Sequence, residues 1–175
     1  PVARVRIDVE GTKFPVLLTS IDVNLNGTTS RDDIEVVSAY LTGSASTLRA
    51  SGHPNCFSNA QELGTAPPSG DTVTISSSAK LQPGANYLWL GVTLKSTANP
   101  DHVVSAKCVQ IAFSDRTEHG VKNSKNSHAQ RIGVAVRKQG DDGSHTYRIP
   151  GLATTNKGSL IGVYDVRRRG GGDLP

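Results

Sequence analysis

The chain has 175 residues; 35% are hydrophobic, 19% are charged, 18 are Gly and 9 are Pro. This suits one domain of ordinary size plus a remainder, with too much apolar content for disorder throughout and too little charge for a coiled coil. No apolar run reaches the roughly 18 residues that a membrane span needs. The net charge of +4 is uneven: residues 1–101 carry 7 basic and 9 acidic groups (−2), and residues 102–175 carry 12 and 6 (+6).

Short β-branched runs between Gly- and Pro-rich turns predict an all-β chain. Residues 5–9 alternate apolar and polar and read as a strand. Residues 14–25 hold an apolar patch that ends in the clean alternation Ile21-Asp22-Val23-Asn24-Leu25, followed by the turn signal Asn26-Gly27. A further strand is expected over 34–41, entered through Asp32-Asp33. Residues 43–70 read as long loops with short strands, and 72–76 alternate again. After the turn at Pro83-Gly84, residues 87–94 are the strongest strand. Leu88, Leu90, Val92 and Leu94 share one face by period two, with Tyr87 and Trp89 on the other. Residues 103–113 close this set. Strands of this number and patterning, without a helical repeat, predict an antiparallel β-sandwich over 1–113, jelly-roll-like because its loops are long.

Residues 114–130 hold one aliphatic side chain larger than Ala, Val121, and read as a linker. Three strands are expected beyond it: 131–137, with Ile132, Val134 and Val136 on one face, then 147–155 and 159–166, joined at Asn156-Lys157-Gly158. Three strands in about 45 residues cannot bury a core alone. Residues 131–175 are therefore expected to open a larger domain. Methionine is absent, so residue 1 is not expected to be a native start; either a leader has been removed or the sequence is trimmed. Cys108 lies in an apolar run and reads as a buried thiol, whereas Cys56 sits in the turn-rich His53-Pro54-Asn55-Cys56. Two free thiols are favoured over a disulfide, whose geometry sequence alone cannot supply.

The basic second half calls for an anionic partner. Nucleic acid fits poorly, because the basic groups are scattered and few aromatics lie among them. No CxxC pair or His/Cys cluster has metal-ligand spacing. A small carboxylate or sulfate fits better, and two arginines suit it. Arg148 stands in Tyr147-Arg148-Ile149-Pro150, where its planar fork is aimed beside a rigid proline. Arg167 follows Asp165 by two residues on one strand face and precedes Gly170-Gly171-Gly172-Asp173. The glycines let the backbone and Asp173 approach a ligand, and a carboxyl there could act as acid or base. Taken singly, an exposed strand arginine or a solvated arginine run explains each feature.

Together, the Arg-Ile-Pro motif, the hairpin after it and the spacing Asp165-x-Arg167-x5-Asp173 resemble the first blade of bacterial exo-α-sialidases, secreted enzymes of mucin-feeding bacteria. Residues 1–113 more loosely resemble the β-sandwich that precedes the propeller in that family, regarded there as carbohydrate-binding, with Asn86-Tyr87-Leu88-Trp89-Leu90 as the landmark. The resemblance implies a sandwich over 1–113, a linker over 114–130 and the opening strands of a β-propeller over 131–175. It implies that Arg148 belongs to the arginine triad gripping the sialic acid carboxylate, that Arg167 contacts the sugar's 4-position and that Asp173 is the general acid/base. The implied reaction is retaining hydrolysis of a terminal α-linked sialic acid through a tyrosine nucleophile, without cofactor or metal. A neutral nucleophile avoids the repulsion, several kcal/mol at contact and intermediate dielectric, that a carboxylate would meet from an anionic substrate. The implied partners are sialylated glycans or mucin-type glycoproteins, and the remainder of the propeller on the same or a second chain. The implied location is secreted, periplasmic or cell-surface.

The sequence has no Ser-x-Asp-x-Gly-x-Thr-Trp box; Ser69-Gly70-Asp71-Thr72 begins like one and then departs from it. None of the four tyrosines matches the nucleophile's place, so residues 1–175 alone are expected to be inactive. Two other readings stay open: a stand-alone carbohydrate-binding sandwich without catalysis, and a structural, adhesin-like sandwich. Trp89 is expected to pack within the sheets rather than stack on sugar.

Overall fold

The computed structural model describes residues 1–12, 15–51, 57–115, 117–121 and 129–172. Among them the backbone forms β1 (Ala3–Val9), β2 (Leu17–Asn24), β3 (Ile34–Leu41), β4 (Gln61–Ala66), β5 (Thr72–Lys80), β6 (Gly84–Leu94), β7 (Val103–Val104), β8 (Lys107–Phe113), β9 (Glu118–Gly120), β10 (Gln130–Arg131), β11 (Thr146–Thr154) and β12 (Leu160–Arg167). The chain divides into two compact units, Pro1–Gly133 and Val134–Pro175.

The first unit is a sandwich of two antiparallel sheets, ordered β1-β6-β3-β4 and β5-β2-β8-β9. Its core is the set of inward positions of both sheets: Val5 and Ile7 of β1, Leu88 and Leu90 of β6, Val37, Ala39 and Leu41 of β3, Ile21 and Val23 of β2, and Val73 and Ile75 of β5. Period two predicts these positions until a bulge intervenes. β2 has a register shift between Leu18 and Ser20, so an extra residue lets even-numbered Leu18 and odd-numbered Ile21 both point inward, each fully buried. A second shift against β8 likewise turns Cys108 and Ile111 inward together. The Cys108 thiol is free, and burial pushes it up to about 12, which leaves it unreactive. Cys56 lies outside the described residues.

Polar groups fasten the turns. Asn86, fully buried, accepts from Gln82 N at 2.9 Å and donates to Gln82 O at 2.7 Å and Gly84 O at 3.1 Å, closing the Pro83-Gly84 turn from inside. Asp33, buried at the entry to β3, accepts from Asn99 N at 2.9 Å and lies 2.7 Å from His102 Nδ1. These bonds, the Asn99 amide first and His102 second, hold its carboxyl below the usual carboxylate range.

The structure corrects three expectations. Residues 103–113 are not one strand: Thr28 Oγ1 donates to Ser105 O at 2.9 Å and accepts from Ser105 N at 3.0 Å, so a side chain takes the place of the ladder and splits the run into β7 and β8. The described part of 114–130 does not behave as a linker. β9 pairs with β8 and β10 with β7, and the unit boundary falls after Gly133. Residues 122–128 lie outside the described set. β9 is exposed at every position, so an edge strand without a buried face left no alternation to read. The expected strand 131–137 is limited to Gln130–Arg131, because Ile132 N and Gly133 N donate instead to His102 O and Pro100 O, both at 3.0 Å. Val134 and Val136 are exposed.

The second unit is a short 3-10 turn, Asp141–Gly143, followed by the antiparallel hairpin of β11 and β12. Gly158, at φ +82, closes the hairpin with Gly158 N donating to Thr155 O at 2.9 Å. The rings of Tyr147 and Tyr164 meet edge to face at 5.2 Å. Tyr147 Oη donates to Asp141 O at 2.8 Å, tying the turn to the hairpin.

Candidate functional site

The hairpin brings the two arginines singled out in the sequence to one end. In its register Arg148 stands opposite Asp165, and Thr146 opposite Arg167. Arg148 Nη1 donates to Gly171 O at 2.8 Å, and Arg167 Nη1 donates to Gly172 O at 2.7 Å. Two guanidinium groups on neighbouring strands thus meet consecutive carbonyls of one glycine loop. Asp173 lies outside the described residues, next in sequence after Gly172.

Backbone geometry beside Arg148 departs from an ordinary strand. The ladder shifts register between Arg148 and Gly151, and Ile149 adopts φ +54. A β-branched residue in the left-handed region costs about 1–3 kcal/mol. The exposed Ile149 side chain offers little packing to offset that. The bulge breaks the side-chain alternation of β11 just past the arginine. Arg148, Tyr147, Pro150, Leu152, Val163 and Tyr164 line an open hollow of about 530 Å³ on this hairpin. Arg167 is well covered at 13% side-chain exposure, and its Nη2 lies 3.2 Å from Asp165 Oδ2. Chemically, the arrangement is a rim of two permanent positive charges with directional donors, suited to a planar carboxylate. Among the described residues no group of three or more His, Cys, Asp or Glu side chains converges as a metal site would.

Sequence reasoning assigned no role to Asp165, though it is the first member of the Asp-x-Arg spacing. Nor could it place the Gly171 and Gly172 carbonyls on the guanidinium groups; the triple glycine was the only signal. In the sandwich, Trp89 Nε1 donates to Thr42 Oγ1 at 3.0 Å, and the Arg4 guanidinium stands 5.5 Å from the ring centres of both Trp89 and Tyr87. Those aromatic faces are occupied from within the chain.

Residues 1–117 match the model of the N-terminal domain of BNR-repeat neuraminidase. The chain belongs to this family. A sialidase of Bacteroides fragilis (strain YCH46) is 41% identical over 105 residues, which are 60% of this chain and 19% of the relative. The solved structure of Hadza microbial sialidase Hz136 is similar over 99% of this chain and 35% of its own, with a TM-score of 0.56 and 27% identity. The chain therefore spans about a fifth of the curated relative's length and about a third of the solved one's. Its homologues are sialidases. The family match covers the sandwich through β8 and stops before both arginines, whereas the structural likeness includes the hairpin that carries them.

Proposed function

We propose that this chain is the N-terminal part of an exo-α-sialidase, a glycoside hydrolase that removes terminal sialic acids from glycoconjugates with retention. Arg148 would grip the substrate carboxylate and Arg167 would contact the sugar's 4-position. Asp173 would protonate the leaving glycosidic oxygen and then deprotonate water. The observation that carries this reading is the pair of guanidinium groups on adjacent strands, each bonded to a carbonyl of the same glycine loop. Membership of a neuraminidase-associated family supplies the chemical context.

The unit Pro1–Gly133 serves as the sandwich module, and the unit Val134–Pro175 as the opening of the propeller. Leu152, Leu160, Ile161 and Val163 are exposed on the hairpin, an apolar surface that following blades would cover. The remaining triad arginines, the tyrosine nucleophile and its glutamate partner would come from the further length that the relatives have. Residues 1–175 by themselves turn over no sialoside. The substrates are sialylated glycans or mucin-type glycoproteins met outside the cytoplasm. A stand-alone carbohydrate-binding module has less support, because Arg4 covers the Trp89 and Tyr87 rings that would stack on sugar.

The test is turnover of a fluorogenic sialoside by the polypeptide that carries this chain together with its following blades. Asp173→Ala is expected to lower kcat by about 10²–10⁴. Unchanged turnover would remove Asp173 from its role, and a wild-type protein without turnover would overturn the reading.

A further inference from the structure

Asp165 has no part in the proposed chemistry, yet it stands between both arginines. Its Cα is the register partner of Arg148 across the ladder, and directly opposed residues share one face of a hairpin. On its own strand it precedes Arg167 by two residues, which returns the side chain to the same face, and its Oδ2 lies 3.2 Å from Arg167 Nη2. The loop carbonyls met by the two guanidinium groups belong to consecutive residues, so two like charges are gathered at one rim. Asp165 sets a carboxylate on the face that the two arginines share, where an opposite charge is favourable.

Asp165 is half-exposed at 52%, whereas Arg167 is at 13%. The arginine is the enclosed member and the carboxylate reaches it from the solvent side. The carboxylate at Nη2 and the carbonyl at Nη1 hold the Arg167 guanidinium at two points, which fixes the direction of its fork. We propose that Asp165 is a positioning residue: by pairing with Arg167 and facing Arg148 across the ladder, it keeps both forks aimed at one anionic ligand. This rests on the sialidase reading given above.

Because the two arginines bind the ligand's charge before and during reaction alike, loosening them should weaken binding more than chemistry. The experiment compares Asp165→Asn and Asp165→Glu with wild type in the polypeptide carrying the following blades, using a fluorogenic sialoside and thermal melting. Asp165→Asn is expected to raise KM by about 10- to 100-fold with kcat within about threefold and the melting temperature unchanged. Asp165→Glu is expected to recover KM to within about fivefold. Binding of free sialic acid should weaken in Asp165→Asn, while binding of its methyl ester, which lacks the negative charge, should not. An unchanged KM in Asp165→Asn, or equal losses for acid and ester, would overturn the role of Asp165 and leave the sialidase reading standing. Absence of wild-type turnover would overturn both.

Discussion

The sandwich and the hairpin unit are built from similar residues and solve the burial problem differently. In the sandwich, Leu18, Ile21, Val23, Val37, Ile75, Leu88 and Leu90 are all at or near zero exposure, because two sheets face each other. In the hairpin unit, Leu152 is 75% and Leu160 68% exposed, because two strands have no opposing sheet. Apolar alternation is thus present in both, but only the first unit converts it into a core. A strand's pattern states which face wants cover, not whether this stretch of chain supplies it.

The largest expected consequence is in local stability. With a nonspecific protease under native conditions, residues 134–172 should be cut at least about a hundredfold faster than the β-strands of the sandwich, since little apolar burial opposes opening there. Mass-spectrometric mapping of the fragments checks this, and equal resistance would erase the contrast. Next comes the energy of single side chains. Leu18→Ala should lower the unfolding free energy of the chain by about 2–5 kcal/mol, and Leu152→Ala by no more than about 0.5 kcal/mol, both read by urea denaturation. Comparable losses would mean that the hairpin already has a buried face.

The smallest expected effect is acid sensitivity, and it sharpens the comparison because it belongs to the sandwich alone. The Asp33 carboxyl is held below its ordinary value by Asn99 N–H and His102. Its contribution is therefore complete above the unfolded carboxylate value of about 3.9 and is lost as pH falls through the lower folded value. Melting temperatures measured between about pH 5 and pH 2 should fall more steeply in wild type than in Asp33→Asn. Parallel slopes would show that Asp33 is not the group titrating.

Much of the sandwich was legible because its strands have one buried and one exposed face. Residues 34–41 were read with the bounds that β3 shows, and β6 was placed from Leu88 and Leu90. Strand pieces without that contrast were missed: β9 is exposed throughout, and β10 is two polar residues. At the candidate site, Arg148 and Arg167 stood out as charged residues against apolar strands. The role proposed for Asp165 did not, since spacing along a strand says nothing about which residue faces it across the ladder.

By itself the sequence determined the all-β class, the main strands and the residue types available to meet an anion, because these depend on side-chain alternation and local turn chemistry. The tertiary structure decided the rest. The bulges brought Leu18 and Cys108 into phase with the core, Thr28 interrupted the strand at Ser105, and the hairpin register set Arg148 opposite Asp165 with the glycine carbonyls at both guanidinium groups. Each of these joins residues distant along the chain or changes register by one residue, and a pattern read along one strand is blind to both.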